Sequence, residues 1–141
     1  MSGAREPGAQ VDRLYRAAWA LCGSPLGAER LVEQAFRKVG RRGRRMEDGR
    51  LVRQLIRGTR RGAPALAGTE GGEPADESGA AVYAAIARLP ESLRDAVVAV
   101  DVAGLSNPQA AWALNMAEPV LGARLFRGRR ELARRLDDAP A

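Results

Sequence analysis

The stretch SNPQAAWALNMAEPVLGARLFRGRRELARRL, residues 106–136, decides how the chain folds. Ser106 followed three residues later by Gln109 is the pattern of a capping box, in which each side chain satisfies the other residue's backbone N–H. A short helix is predicted to run to about Leu114, and Asn115 suits the left-handed position that closes a helix. Pro119 then opens a longer helix with Leu121, Leu125, Leu132 and Leu136 on its inward side. A short helix, a turn of about four residues and a longer basic helix match the spacing of a helix-turn-helix, whose second helix enters the major groove. Arg124, Arg127 and Arg130 fall on the DNA side of that second helix.

Upstream, the helical period continues. Val82, Ile86 and Leu89 share a face, Pro90 begins a further helix with Leu93, Ala96, Val97 and Val100 inward, and Gly104 ends it. Before these, residues 62–79 hold Gly68, Gly71, Gly72, Pro64 and Pro74, with Glu70, Glu73, Asp76 and Glu77 and no basic residue. Such a stretch buries too little apolar surface to offset its ordering entropy and reads as a flexible acidic linker. The N-terminal half carries three apolar stripes. Val11, Leu14, Tyr15, Ala18, Leu21 and Cys22 form the first, closed by Gly23. Ala28, Leu31, Val32, Ala35, Phe36 and Val39 form the second, opened by Ser24-Pro25; Leu51, Val52, Leu55, Ile56 and Thr59 form the third. The expected architecture is all-α: a three-helix bundle over 1–61, the linker over 62–79, and a four-helix helix-turn-helix domain over 80–141. No strand pattern or internal repeat stands out.

Composition narrows the chemistry. The 141 residues carry a net charge of +6 and a pI near 10.8, and Lys38 is the only lysine among 23 basic residues. Arginine offers a fixed fork of donors suited to phosphates and base edges. There is no histidine and one cysteine, Cys22, which removes the usual general base, most zinc sites and any internal disulfide. Glu91 and Asp95 lie at helical spacing without a base, metal ligand or nucleophile nearby, so an enzyme is not expected and no cofactor is implied. Cys22, Trp19 and Trp112 read as packing residues. No apolar run is long enough to span a bilayer, and Met1–Gln10 has no signal-peptide core, so a cytoplasmic protein without membrane contact is expected.

The strongest charge feature is the segment from Gly40 to Arg61, where nine arginines face only Glu47 and Asp48. Arg50, Arg53, Arg57 and Arg60 recur every three or four residues opposite the Leu51/Leu55 stripe. Salt-bridged helix faces alternate in sign, and this one does not. A helix with such a face can lie along a phosphate backbone.

The stretch from Leu89-Pro-Glu-Ser-Leu-Arg-Asp-Ala-Val-Val through Gly104-Leu-Ser106 to Arg124-Leu-Phe-Arg-Gly-Arg-Arg-Glu-Leu132 resembles the fourth region of sigma-70-type factors, nearest the extracytoplasmic-function (ECF) group. Leu14-Tyr15, Gly23-Ser24-Pro25 and the run from Ala28 to Phe36 similarly resemble that group's second region. The resemblance implies a sigma factor that binds bacterial core RNA polymerase and reads promoter −10 and −35 elements. By position, Glu29, Glu33, Gln34 and Phe36 fall on the polymerase-docking helix. Arg50, Arg53, Arg57 and Arg60 fall where −10 DNA is met, and Arg124 and Arg127 on the −35 helix. The chain departs from the pattern at Arg30, where the family has an acid, and at Gly40, where it has a tryptophan. It departs again at Val120 and Gly122, where polar residues are usual. Two other readings stay open beside the first. One is a degenerate sigma-like protein acting through protein partners, such as polymerase, another sigma factor or an anti-sigma factor; the other is a basic helical protein binding nucleic acid non-specifically.

Overall fold

The computed structural model of the chain describes residues 7–43, 45–60 and 77–138. Among these residues every regular element is helical and there is no strand, as the apolar periodicity implies. The elements are α1 (Pro7–Cys22), α2 (Pro25–Arg41), α3 (Asp48–Arg60), α4 (Glu77–Ala87), α5 (Glu91–Val97), α6 (Asn107–Leu114) and α7 (Glu118–Asp138). A π-helical turn, Val98–Val102, extends α5.

Local chemistry accounts for most of the boundaries. Gly23, at φ +78°, turns the chain out of α1. The Ser24 hydroxyl then accepts from the Gly27 N–H at 3.2 Å, with Pro25 in the first turn where its missing N–H costs nothing. Asp48 opens α3, and its carboxylate accepts from Gln10 at 2.7 Å and from Arg13 at 2.9 Å, fastening the start of α3 to α1. Asn115 stands at φ 57°, ψ 55°, the left-handed closure of α6. Both halves of the Ser106/Gln109 capping box form, at 3.2 and 2.9 Å.

Four details differ from the sequence expectation. The first helix begins at Pro7, so Val11 is 44% exposed instead of inward. Helix α4 begins at Glu77, which makes the last three residues of the expected linker helical; the rest of that linker, with Arg44 and Arg61, lies outside the described residues. Leu136 is 38% exposed because α7 runs past the elements it packs on. A 3.6-residue period does not reveal the π turn, in which the Ala103 N–H reaches back to the Val98 carbonyl at 2.8 Å, one residue beyond an α-helical bond.

One body results. The buried residues Leu14, Leu21, Leu31, Leu51, Leu55, Ile86, Val97 and Leu121 belong to a single hydrophobic cluster that spans both halves. Helix α1 packs on α2 and α3 and also on α4 and the π turn. Tyr15, Trp19 and Tyr83 join the halves at the surface, with ring centroids 5.9 Å and 5.4 Å apart. Aromatic pairs in tilted or edge-on geometry contribute about 0.5–1.5 kcal/mol each beyond their burial. Cys22 is half-buried, its thiol donating to the Ser24 carbonyl at 3.3 Å, and burial pushes that thiol up. A raised thiol holds little thiolate, in keeping with a packing residue.

Candidate nucleic-acid interface

Helix α7 is held by its inner face. Leu121 and Leu125 are buried, and Gly128 lies so close to α5 that a Cβ built there would sit 2.7 Å from a Val97 methyl and 3.2 Å from the Leu93 carbonyl oxygen. This fixes which arginines point away. Arg129 is committed to Asp101 through two bonds of 2.9 and 2.7 Å, and Arg134 and Arg135 both bond Glu131. Arg124 and Arg127 carry no ion pair among the described residues; Arg124 is half-buried and Arg127 exposed. Arg130 lies over the Phe126 ring at 5.8 Å, and Phe126 is 61% exposed. The outward side of α7 therefore offers three arginines and an aromatic edge, with Gly122 leaving open space beside them.

The arginines of α3 have a different setting. Leu51, Val52, Leu55 and Ile56 are buried, and the opposite side turns toward the C-terminal half. Arg53 lies over the indole of Trp112 at 4.7 Å from the ring centroid. Arg60 reaches Glu91 at 3.1 Å and Asp95 at 3.0 Å, and Arg50 is 4.0 Å from Glu47. Arg57 is exposed. Asp95 is buried and also accepts from Arg94 at 3.1 Å; burial pushes its pKa up, against the pull of Arg94 and Arg60. Sequence reading paired Asp95 with nothing, because its two partners are a neighbour and a residue on another helix.

On α2, Glu29, Glu33 and Phe36 fall on one side by helical spacing, the two acids exposed and Phe36 half-buried against the core. Gln34 stands apart from them, beside α3 at Gly58, where an added Cβ would lie 3.8 Å from its Oε1. Arg30 is exposed on the same helix.

Trp112 corrects an expectation. Read as a packing residue, it is 49% exposed and stands against the arginine side of α3. Its neighbours on α6, Ala111 and Ala113, take the buried positions. The only sequence signal was its place in a short helix whose other apolar residues are all small or terminal.

Residues 79–132 match the family model for sigma-70, region 4. The C-terminal half thus carries a sigma-70 region 4 domain, a type found in DNA-binding transcription initiation factors, and this supports a member of the sigma-70 family. No curated protein matches the chain. Among the described residues no helix is long and apolar enough to cross a membrane.

Proposed function

We propose that the chain is a sigma-factor-like transcription initiation factor of the extracytoplasmic-function group, which binds bacterial core RNA polymerase and promoter DNA. The observation that carries this reading is the outward side of α7: within a sigma-70 region 4 domain, Arg124 and Arg127 stand without ion pairs on the helix that follows the turn. Arg124, Arg127 and Arg130 then meet −35 DNA, Arg50, Arg53, Arg57 and Arg60 meet −10 DNA, and Glu29, Glu33, Gln34 and Phe36 meet polymerase. The division at 62–79 belongs to the same reading, as the joint between two modules that part on polymerase. The test is run-off transcription with purified core polymerase on genomic fragments, with and without this protein. New protein-dependent transcripts support the proposal. A core polymerase that is neither bound in pull-down nor redirected overturns it.

One observation favours a second reading. Arg53 and Arg60 are already engaged against the C-terminal half, which suits a sigma-like regulator acting through polymerase, another sigma factor or an anti-sigma factor without opening promoters. Polymerase binding without any new transcript is its signature.

A further inference from the structure

A cavity of about 780 Å³ opens at the seam of the two halves, where α1, the segment leading into α3, and α6 converge. Small-molecule sites measure roughly 300–1,000 Å³ and favour such junctions. Two of the large apolar side chains that the fold leaves exposed line it, Met46 at 40% and Trp112 at 49%, with Pro108 beside them. Gly49 adds no side chain to the wall. A Cβ built there would touch the Trp112 indole at 3.8 Å, in space that the glycine leaves open.

The polar walls are balanced in charge. Arg13 is bound to Asp48 at 2.9 Å and Arg50 faces Glu47 at 4.0 Å, so each cation of the walls already has an acid. Arg53, over the indole ring, lines the neighbouring groove and not this cavity. An anion therefore gains little here. Gln10 uses its Nε2 on the Met46 carbonyl and on Asp48, and Gln109 uses its Oε1 on the Ser106 N–H. That leaves one amide acceptor, on Gln10, and one amide donor, on Gln109, in the walls.

We infer that this cavity binds an uncharged, flat aromatic molecule that carries an amide-like donor and acceptor, with its ring against Trp112 and Met46. Indole and thioether both favour an aromatic partner. The inference goes beyond the reading of the chain as a sigma-like factor and does not depend on it. Gln10, Met46 and Gly49 come from the N-terminal half, Pro108 and Trp112 from the C-terminal half. Such a ligand binds the packed halves and, by linkage, holds them together.

The experiment is a heteronuclear NMR titration of the isotope-labelled full chain with benzamide, and with benzoate as the anion of the same shape. The chain has two tryptophans and so two indole N–H signals, told apart with Trp112→Phe. The Trp112 signal is expected to shift saturably with benzamide while that of Trp19 stays in place. Benzoate is expected to bind at least about tenfold more weakly, because its charge would lose water with no free cation to meet it. At about five times its Kd, benzamide is expected to raise the Tm by about 3 °C. Gly49→Leu fills the space beside the indole and is expected to fold, as a thermal melt checks, and to abolish both effects. Met46→Ala, at an exposed position, is expected to weaken benzamide binding about threefold. No saturable shift of the Trp112 signal overturns the site, as does a shift that folded Gly49→Leu leaves intact or, should that variant not fold, a Kd unchanged in Met46→Ala. Equal affinity for benzoate overturns the uncharged class of ligand.

Discussion

The guanidinium of Arg60, on α3, donates to the carboxylate of Asp95, on α5, across 3.0 Å, and the carboxylate it reaches is 1% exposed. A carboxylate so deeply buried is tolerable only when paired and hydrogen-bonded, and Arg94 supplies the other pairing. The contact joins the end of the arginine-rich helix to the start of the region 4 domain. Arg60 is half exposed, so solvent screens its share. Arg60→Ala is expected to cost about 1 kcal/mol, and Asp95→Ala about 1–3 kcal/mol, because Arg94 then loses its partner. A double-mutant cycle by urea unfolding measures the coupling. Additivity within about 0.5 kcal/mol means that the bridge contributes nothing of its own.

Gly128 and Gly122 sit six residues apart on α7 and should respond oppositely to the same change. At Gly128 a methyl meets Val97 and the Leu93 carbonyl, so Gly128→Ala forces α7 off α5 and is expected to cost about 1–3 kcal/mol. At Gly122 nothing lies within 4 Å of the new methyl, so Gly122→Ala is expected to add about 0.5–1 kcal/mol through helix propensity. Thermal melts of the two variants decide. Equal effects remove the close packing of α7 on α5 as an explanation.

Ser106 makes one side of the capping box that begins α6. Ser106→Ala is expected to lose about 1 kcal/mol, and Ser106→Asp to retain most of it, because a carboxylate can accept the same Gln109 N–H. The same melts read this out, and a neutral Ser106→Ala shows that α6 is held by packing alone.

Arg124 and Arg127 differ in setting, the first half-buried and the second exposed. Arg127→Ala is expected to weaken binding on all duplexes alike and to lower the salt slope by about one unit, as a phosphate contact does. Arg124→Ala is expected to cost about 1–3 kcal/mol more on a preferred −35-like duplex than on random DNA. Binding titrations at several salt concentrations compare them. No change in either variant moves the DNA contact off α7.

How much of this was written in the sequence depends on the range of the interaction. The capping box, the left-handed Asn115 and the Ser24-Pro25 start were legible because each is settled within three or four residues. The apolar stripes located the helices and their inner faces, apart from Val11 and Leu136, which are exposed. What α3 faces was not legible. Arg60 meets Asp95 at a separation of 35 residues, and Arg53 finds Trp112 still farther along the chain. No periodicity within either segment records the other. Arg124, Arg127 and Arg130 stood out as basic residues, yet so did Arg129, which Asp101 takes up from the π turn.

Helix α1 has apolar neighbours on both sides of the molecule, α2 and α3 on one and α4 with the π turn on the other. Neither half can lose its order without stripping one flank of this helix. Heat should therefore melt the protein in one endotherm, with an enthalpy near 0.7 kcal/mol for every ordered residue of both halves together. A protein that must part its halves to act pays for that in cooperativity: whatever draws them asunder has to supply the work of baring α1, and any partner able to cover that flank in its place becomes the natural trigger.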